Sequence, residues 1–285
     1  MKKINITYTM TAPVSHIGQT ASVGAYFNTL TTAYGEIPVI TGNSVRGILR
    51  DYGAKKVLDA YGAPVDKEVF NVLFSGGNIS GSTKNDVERA KQAREHFPLI
   101  SLLGGGLGTM MMSGNMLSGF LYPVCSETQE LTKKKSSVSW HELVDEIEFT
   151  RMDDTKDDTK EKYIEDVSEE KKAKASTQMR VSVQYMAAGT KFVQEIVLLD
   201  SATEMEEAVL YSCLHDWFEV HTIGGMRAKG FGFFDAESNE ISVINGQIKT
   251  SERVAGLIQK YDDFLAGENI GETIGLLSTG GKKNG

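Results

Sequence analysis

Cysteine is almost absent from this chain. Its 285 residues hold two, Cys125 and Cys213, far apart and each in apolar surroundings, which excludes a disulfide framework or a zinc cluster and fits a reducing compartment. Long apolar runs are missing too. The N-terminus lacks the run expected of a signal peptide, and no stretch reaches the length needed to span a bilayer, so the expectation is a cytoplasmic protein with no membrane partner. Histidine is scarce, and His96, His141, His215 and His221 have no ligand-like spacing with cysteine or carboxylate, so no metal site is expected; His215, on an apolar-striped segment, reads as a core-edge residue. Asp153-Asp154 and Asp157-Asp158 lack the alternating ligands and fixed glycine of a calcium loop. Basic residues are outnumbered, with a net charge of −8, which argues against a polyanion partner. The distribution weakens that objection. Between Asp145 and Ser176 twelve acidic side chains face seven basic ones, and the rest of the chain is left near −3, where clustered arginines can still form a positive groove.

What is present is a soluble globular composition, 40% hydrophobic and 24% charged, long enough for one large domain or two modest ones. The chain opens with strict alternation, Ile4, Ile6, Tyr8 and Met10 against Asn5, Thr7, Thr9 and Thr11, which predicts a half-buried strand. A loop with His16-Ile17-Gly18-Gln19 follows. The strand-like run Ile37-Pro38-Val39-Ile40 leads into a helix from about Ser44 to Tyr61. Residues 64–98 read as a helical insertion of two short helices separated by the turn-rich stretch Ser75 to Thr83.

After Gly104 to Gly108, the apolar run Met110 to Val124 predicts a strand, bulged or bent at Gly114 and Gly119. Residues 126–179 are polar and charged, with a helical piece around Trp140 to Ile147. Arg180 to Met186 and Lys191 to Leu199 predict a hairpin joined at Ala188-Gly189-Thr190. Met205, Val209, Cys213 and Trp217 mark a helix with a broad apolar stripe, and Gly224 to Phe234 is a glycine-rich loop running into a strand. A helix over about Glu252 to Leu265 and a Gly/Lys tail occupy residues 250–285. Reduced to its core the order is β-α-β-β-α-β. That predicts an α+β, ferredoxin-like (RRM-like) domain spanning 1–285, with helices on one side of an antiparallel sheet.

Two motifs carry chemistry. In Thr41-Gly42-Asn43-Ser44-Val45-Arg46-Gly47, Asn43 or Ser44 can cap the helix, and the remaining free amides and the helix dipole favour a phosphate. Arg46 and Arg50, four apart, lie on one face near that end. An ordinary capped helix with two solvated arginines fits the same residues. In Gly224-Gly225-Met226-Arg227-Ala228-Lys229-Gly230-Phe231-Gly232, two basic side chains sit in a turn whose glycines let backbone N–H groups approach a ligand; a plain helix-to-strand turn fits this stretch as well.

Taken in order along the chain, these segments resemble the RAMP superfamily of CRISPR proteins, most closely the Cas-seven type backbone subunits of type III and type IV effector complexes. His16-Ile17-Gly18 is similar to the family's His-x-Gly after the first strand. Ile37 to Arg50 resembles its Ile-Pro-Gly-Ser-Ser-x-(Lys/Arg)-Gly-x-x-Arg helix start, with Gly-Asn-Ser in the form of the type IV branch. Leu103 to Gly108 and Gly224 to Gly232 resemble its two glycine segments.

The resemblance implies a subunit that binds guide RNA (crRNA), stacks head to tail with copies of itself into a helical filament, and assembles with other CRISPR effector subunits on target DNA or RNA paired with the guide. It implies RNA contacts from His16, Gln19, Asn43, Ser44, Arg46, Arg50, Arg227 and Lys229. It also implies a thumb around Phe149 to Met179, with Arg151 and Met152 as phosphate contact and apolar wedge; a loop without a role fits that charged segment equally. No cofactor is implied.

Type III relatives cut target RNA with an aspartate between the His-Gly and Ile-Pro motifs. Residues 17–37 contain none; Glu36 is too late and Phe27-Asn28 stands where Asp-Asn is expected. The expectation is therefore binding without cleavage and no catalytic residue. A guide-processing endoribonuclease of the same superfamily, with His16 as general acid or base, is the alternative. A remoter one is a small-molecule phosphate-binding protein.

Overall fold

The computed structural model describes residues 1–20, 24–77, 87–107, 110–150, 180–267, 270–275 and 277. The alternation at the N-terminus becomes burial: in strand β1, Lys2–Met10, the side chains of Ile4, Ile6, Tyr8 and Met10 are buried, while Lys3 and Asn5 are exposed. β1 lies inside an antiparallel sheet. Its order is Gln247–Thr250, Ile241–Ile244, Phe234–Glu237, β1, Lys191–Leu198 and Met116–Ser118, with Tyr122–Pro123 also pairing Lys191–Leu198. Helix α1, Gly42–Tyr61, connects β1 to Met116–Ser118 in chain order, and the helix Glu204–Val220 connects Lys191–Leu198 to Phe234–Glu237. The protein is thus a mixed α+β fold of antiparallel sheets and packed helices.

The core sits under β1. Tyr8, Trp217 and Phe234 pack with ring centroids 5.2–5.9 Å apart, aromatic surface that together excludes roughly 150–250 Å² of contact per ring from water. Their polar atoms are satisfied. The Tyr8 hydroxyl donates to Gln194 Oε1 at 2.9 Å and Trp217 Nε1 donates to the Thr222 carbonyl at 2.8 Å. Thr203 caps Glu204–Val220, accepting from the Glu206 amide while the Glu206 carboxylate accepts from the Thr203 amide. The apolar stripe of that helix, Val209, Cys213 and Trp217, is buried.

Several expectations are corrected. The strands Arg180–Met186 and Lys191–Leu198 do not form a hairpin. The turn between them is tight, with Thr190 N–H donating to the Ala187 carbonyl at 3.2 Å, but Met10 exchanges bonds with Gly189 and Thr190. That passes the chain from one sheet to another: Arg180–Met186 pairs antiparallel with Val144–Thr150 and parallel with Gly24–Phe27, in a sheet completed by Ile17–Thr20. The helical piece at Trp140 ends at Leu143, because Val144–Thr150 is drawn into that ladder.

The run Met110 to Val124 is three short strands, not one. Met110–Met112 pairs Gly105–Leu107, whereas the other two join the central sheet. The hairpin Ile241–Ile244/Gln247–Thr250 extends the central sheet beyond the expected core. Two short helices do occupy the 64–98 region, Lys67–Ser75 (α2) and Val87–His96, and a third, Pro98–Leu103, follows. The C-terminal helix spans Glu252–Leu265 as expected. Lys84, Arg151, Met152, the rest of the 151–179 stretch and the tail 278–285 lie outside the described residues. Among the described residues no helix is long and apolar enough to cross a membrane.

Candidate nucleic-acid interface

The first turn of α1 begins two residues earlier than the motif suggests. Thr41, not Asn43 or Ser44, is the cap: its Oγ1 accepts from the Ser44 amide at 3.2 Å and lies 2.9 Å from Ser44 Oγ. The reason is Gly42. A Cβ there would stand 2.1 Å from the Ser118 carbonyl oxygen, so the helix can start against the Ser118–Gly119 backbone only with glycine in its first position. Asn43 is exposed and Ser44 half-buried in that first turn. Gly42 is buried against that backbone, so of the first-turn residues it is Asn43 that reaches solvent at the helix end, where an anion is favoured.

His16 is built into this turn. Its Nε2 accepts from the Thr41 backbone N–H at 3.3 Å, its ring stands edge-on to Phe27 at 6.1 Å, and burial lowers its pKa from the ordinary histidine value. Both observations favour the neutral imidazole. Gln19 lies on Ile17–Thr20, opposite Tyr26 across an irregular ladder.

Arg46 and Arg50 share a face, as the spacing predicts, yet their environments differ. Arg50 is buried, with Nη2 donating to the carbonyls of Gly104 at 2.8 Å and Leu103 at 3.2 Å, and Nη1 reaching that of Val72 at 3.5 Å. It closes the C-terminal end of Pro98–Leu103, where the carbonyls carry partial negative charge. Burial first, and then the neighbouring Arg46 charge, lower its pKa to about 10, so it remains cationic at neutral pH. Arg46 is half-buried and donates once, also to Leu103; a guanidinium has five N–H donors, so most of its capacity faces the cleft.

That cleft has a volume of 490 Å³ and is lined by Asn43, Arg46, Gly47 and Arg50 of α1, Phe74 to Gly77 at the end of α2, and Gly105, Gly106, Met111 and Met112. Among the described residues no carboxylate lines it. The segment around α2 therefore contributes to the site, which the sequence reading did not anticipate. The signal was Phe70 and Phe74 at helical i, i+4 spacing, a pattern that ordinarily marks core.

Arg227 and Lys229 are exposed on a short 3₁₀ turn, Arg227–Lys229. The loop that carries them is pinned beside His16: Gly225 N–H donates to the Ser15 carbonyl at 2.8 Å and Gly232 N–H to that of Pro13 at 2.7 Å. Gly224, at φ +82°, leaves no room for a side chain, since a Cβ would stand 2.4 Å from the Ser15 oxygen. Arg227 is close enough to Tyr52 of α1 to oppose the burial that raises that phenol's pKa. Lys229 Nζ stands 4.2 Å from the centre of the Phe149 ring, next to the point where the chain leaves Val144–Thr150. The structure thus brings His16, the α1 start and the 224–232 loop together. Arg151 and Met152 lie outside the described residues.

In the loop where type III relatives carry an aspartate, Asn28 is fixed by its backbone, its N–H donating to the His16 carbonyl at 2.7 Å and its carbonyl accepting from Val39. Glu36 accepts from Thr29 Oγ1.

The sequence matches the RAMP superfamily over residues 8–235. The fold is similar to that of a chain in a solved "Type IV-B CRISPR Complex", with a TM-score of 0.59 and 17% identity, covering 89% of this chain and 96% of that one. No curated protein matches the chain in sequence.

Proposed function

The chain belongs to the RAMP superfamily, and from that membership we propose that it is a noncatalytic backbone subunit of a CRISPR effector ribonucleoprotein, binding guide RNA (crRNA) and polymerising along it. The observation that carries this reading is the convergence of three sequence-distant motifs. The His16 segment holds the Thr41 cap, Arg46 follows in the next turn of the same helix, and the 224–232 loop, pinned to Ser15, presents Arg227 and Lys229. Guanidinium and ammonium groups suit phosphate oxygens, and a row of them suits a sugar-phosphate backbone rather than one small anion.

The strand order Phe234–Glu237, β1, Lys191–Leu198, Met116–Ser118, all antiparallel, supports the ferredoxin-like β-α-β-β-α-β reading, with 64–98 and 126–179 as insertions and the latter as a thumb. The likeness to a chain of a type IV-B complex supports partnership with other CRISPR subunits. Repeated heterologous contacts along RNA give a helical filament, and target DNA or RNA is then read by pairing with the guide. The aspartate-free stretch 17–37 supports binding without cleavage.

The test is retention of RNA. Recombinant protein should carry short RNA and show salt-sensitive affinity for single strands, and Arg46→Ala should weaken it by about tenfold, on the scale of one or two lost phosphate contacts. Protein that purifies free of nucleic acid and shows no such affinity contradicts the reading.

A further inference from the structure

We propose that the cleft between α1 and α2 takes a single unstacked nucleotide of the bound RNA, with its phosphate on Arg46 and its base against Phe74 and Phe70. This rests on the RNA-binding reading above and assigns that reading a place where one base is separated from its neighbours.

The cleft is chemically two-sided. One wall carries Asn43, Arg46 and Arg50, with no carboxylate among the described lining residues; the other carries Phe74, Met111 and Met112. Positive charge facing apolar surface suits a ligand with an anionic end and a flat apolar body, and the volume of 490 Å³ falls within the roughly 300–1,000 Å³ of small-ligand sites. Phe74 stacks on Phe70 with ring centroids 4.4 Å apart and an interplanar angle of 24°, and Phe70 is 46% exposed. The pair therefore extends the aromatic surface from the cleft wall outward. Met111, 74% exposed, stands on the same wall without core packing to justify it. Arg50 is fixed behind Arg46 by three carbonyls, so the cationic wall is preorganised.

Gly47 supplies an independent argument. It lies in the interior of α1, is exposed and lines the cleft. Apart from proline, glycine is the least favourable residue in a helix interior. A Cβ at Gly47 would meet nothing within 4 Å, so the protein's own packing does not require glycine there. An occupant of the cleft does, because a side chain at that position would project into the space beside Arg46.

The experiment measures fluorescence anisotropy with a fluorescein-labelled, mixed-sequence single-stranded RNA of about ten nucleotides across a salt series, for wild type, Phe74→Ala, Phe70→Ala, Gly47→Leu and Arg46→Ala. Thermal melts serve as the folding control. Both phenylalanine variants should lose about five- to tenfold in affinity with an unchanged salt slope, since a stacked base carries no charge. Gly47→Leu should lose at least as much without a lower melting temperature. Arg46→Ala should flatten the salt slope by about one. RNA carrying 5-bromouridine should photocross-link to the peptide holding Phe70 and Phe74.

If Phe74→Ala fails to fold, the exposed Phe70 and Gly47 positions decide. Wild-type affinity in Phe70→Ala and Gly47→Leu, with Arg46→Ala still weakened, overturns the nucleotide cleft and leaves the RNA-binding reading intact. Absence of salt-sensitive RNA affinity in the wild type overturns both.

Discussion

The backbone N–H of Thr41 donates to Nε2 of His16 at 3.3 Å, so the residue that caps α1 is itself held by the side chain that follows β1. This bond makes His16 a positioning residue: its Nε2 lone pair is committed to the amide, and the imidazole is of use to the site in its neutral form.

The pH dependence follows from the sign of the shift. Burial lowers the His16 pKa below its ordinary value of 6.5, so the unfolded chain takes up the proton first. The stabilisation is present above about pH 6.5 and is lost as pH falls through the lowered folded pKa. Chemical denaturation at pH ~7.5 and ~5.5 should show a larger loss for wild type than for His16→Gln, whose amide does not titrate. His215, raised through its hydrogen bond to Asp216, contributes with the opposite sign, and taking the difference between the two proteins removes it. Equal losses in both would separate His16 from the transition.

Arg50→Met should destabilise the fold by about 3 kcal/mol, because the carbonyls of Leu103, Gly104 and Val72 lose a charged donor in a buried site. Arg46→Met should cost well under 1 kcal/mol, since that side chain is half-buried and makes one protein contact. Urea denaturation of the two variants side by side checks the split. Equal costs would mean that the two arginines are interchangeable.

Gly42→Ala places a methyl group 2.1 Å from the Ser118 oxygen and forces the start of α1 off the central sheet. The expected loss is about 2 kcal/mol of stability, with weakened RNA binding because the cap and His16 move together. Unchanged stability and affinity would show that this close approach is not needed.

The distinction between the paired arginines marks the limit of what could be read from the residues alone. Spacing of four places Arg46 and Arg50 on one helix face, but burial of Arg50 depends on carbonyls more than fifty positions away, which no local pattern encodes. β1 and the C-terminal helix were legible because their periodicity is long and strict. The hairpin across Gly189 was misread for a physical reason: alternation identifies two strands and a turn, whereas the sheet each joins is decided by partners such as Met10 and Gly24. In the same way Thr41 stands directly before a glycine that looks like a breaker, and only the Ser118 backbone pressed against Gly42 shows that the helix has already begun. Nothing in the local pattern marks Phe74 as part of a cleft wall, because the wall exists only where α2 meets α1.

The Thr41 amide occupies His16 Nε2, which in the proposed account makes this histidine a holder of the helix cap and not a cleaving group. Incubation with a hairpin repeat RNA should leave the RNA intact for wild type and His16→Ala alike, read by denaturing gel. A single specific cut by wild type that disappears in His16→Ala would make the protein a guide-processing nuclease.

The polymerising RNA-binding role is tested most directly by electron microscopy of the purified full-length protein mixed with single-stranded RNA several tens of nucleotides long. The account predicts helical particles whose length scales with the RNA and which shorten or vanish for Arg46→Ala combined with Arg227→Ala and Lys229→Ala. Discrete monomers of constant size, with or without RNA, would contradict it.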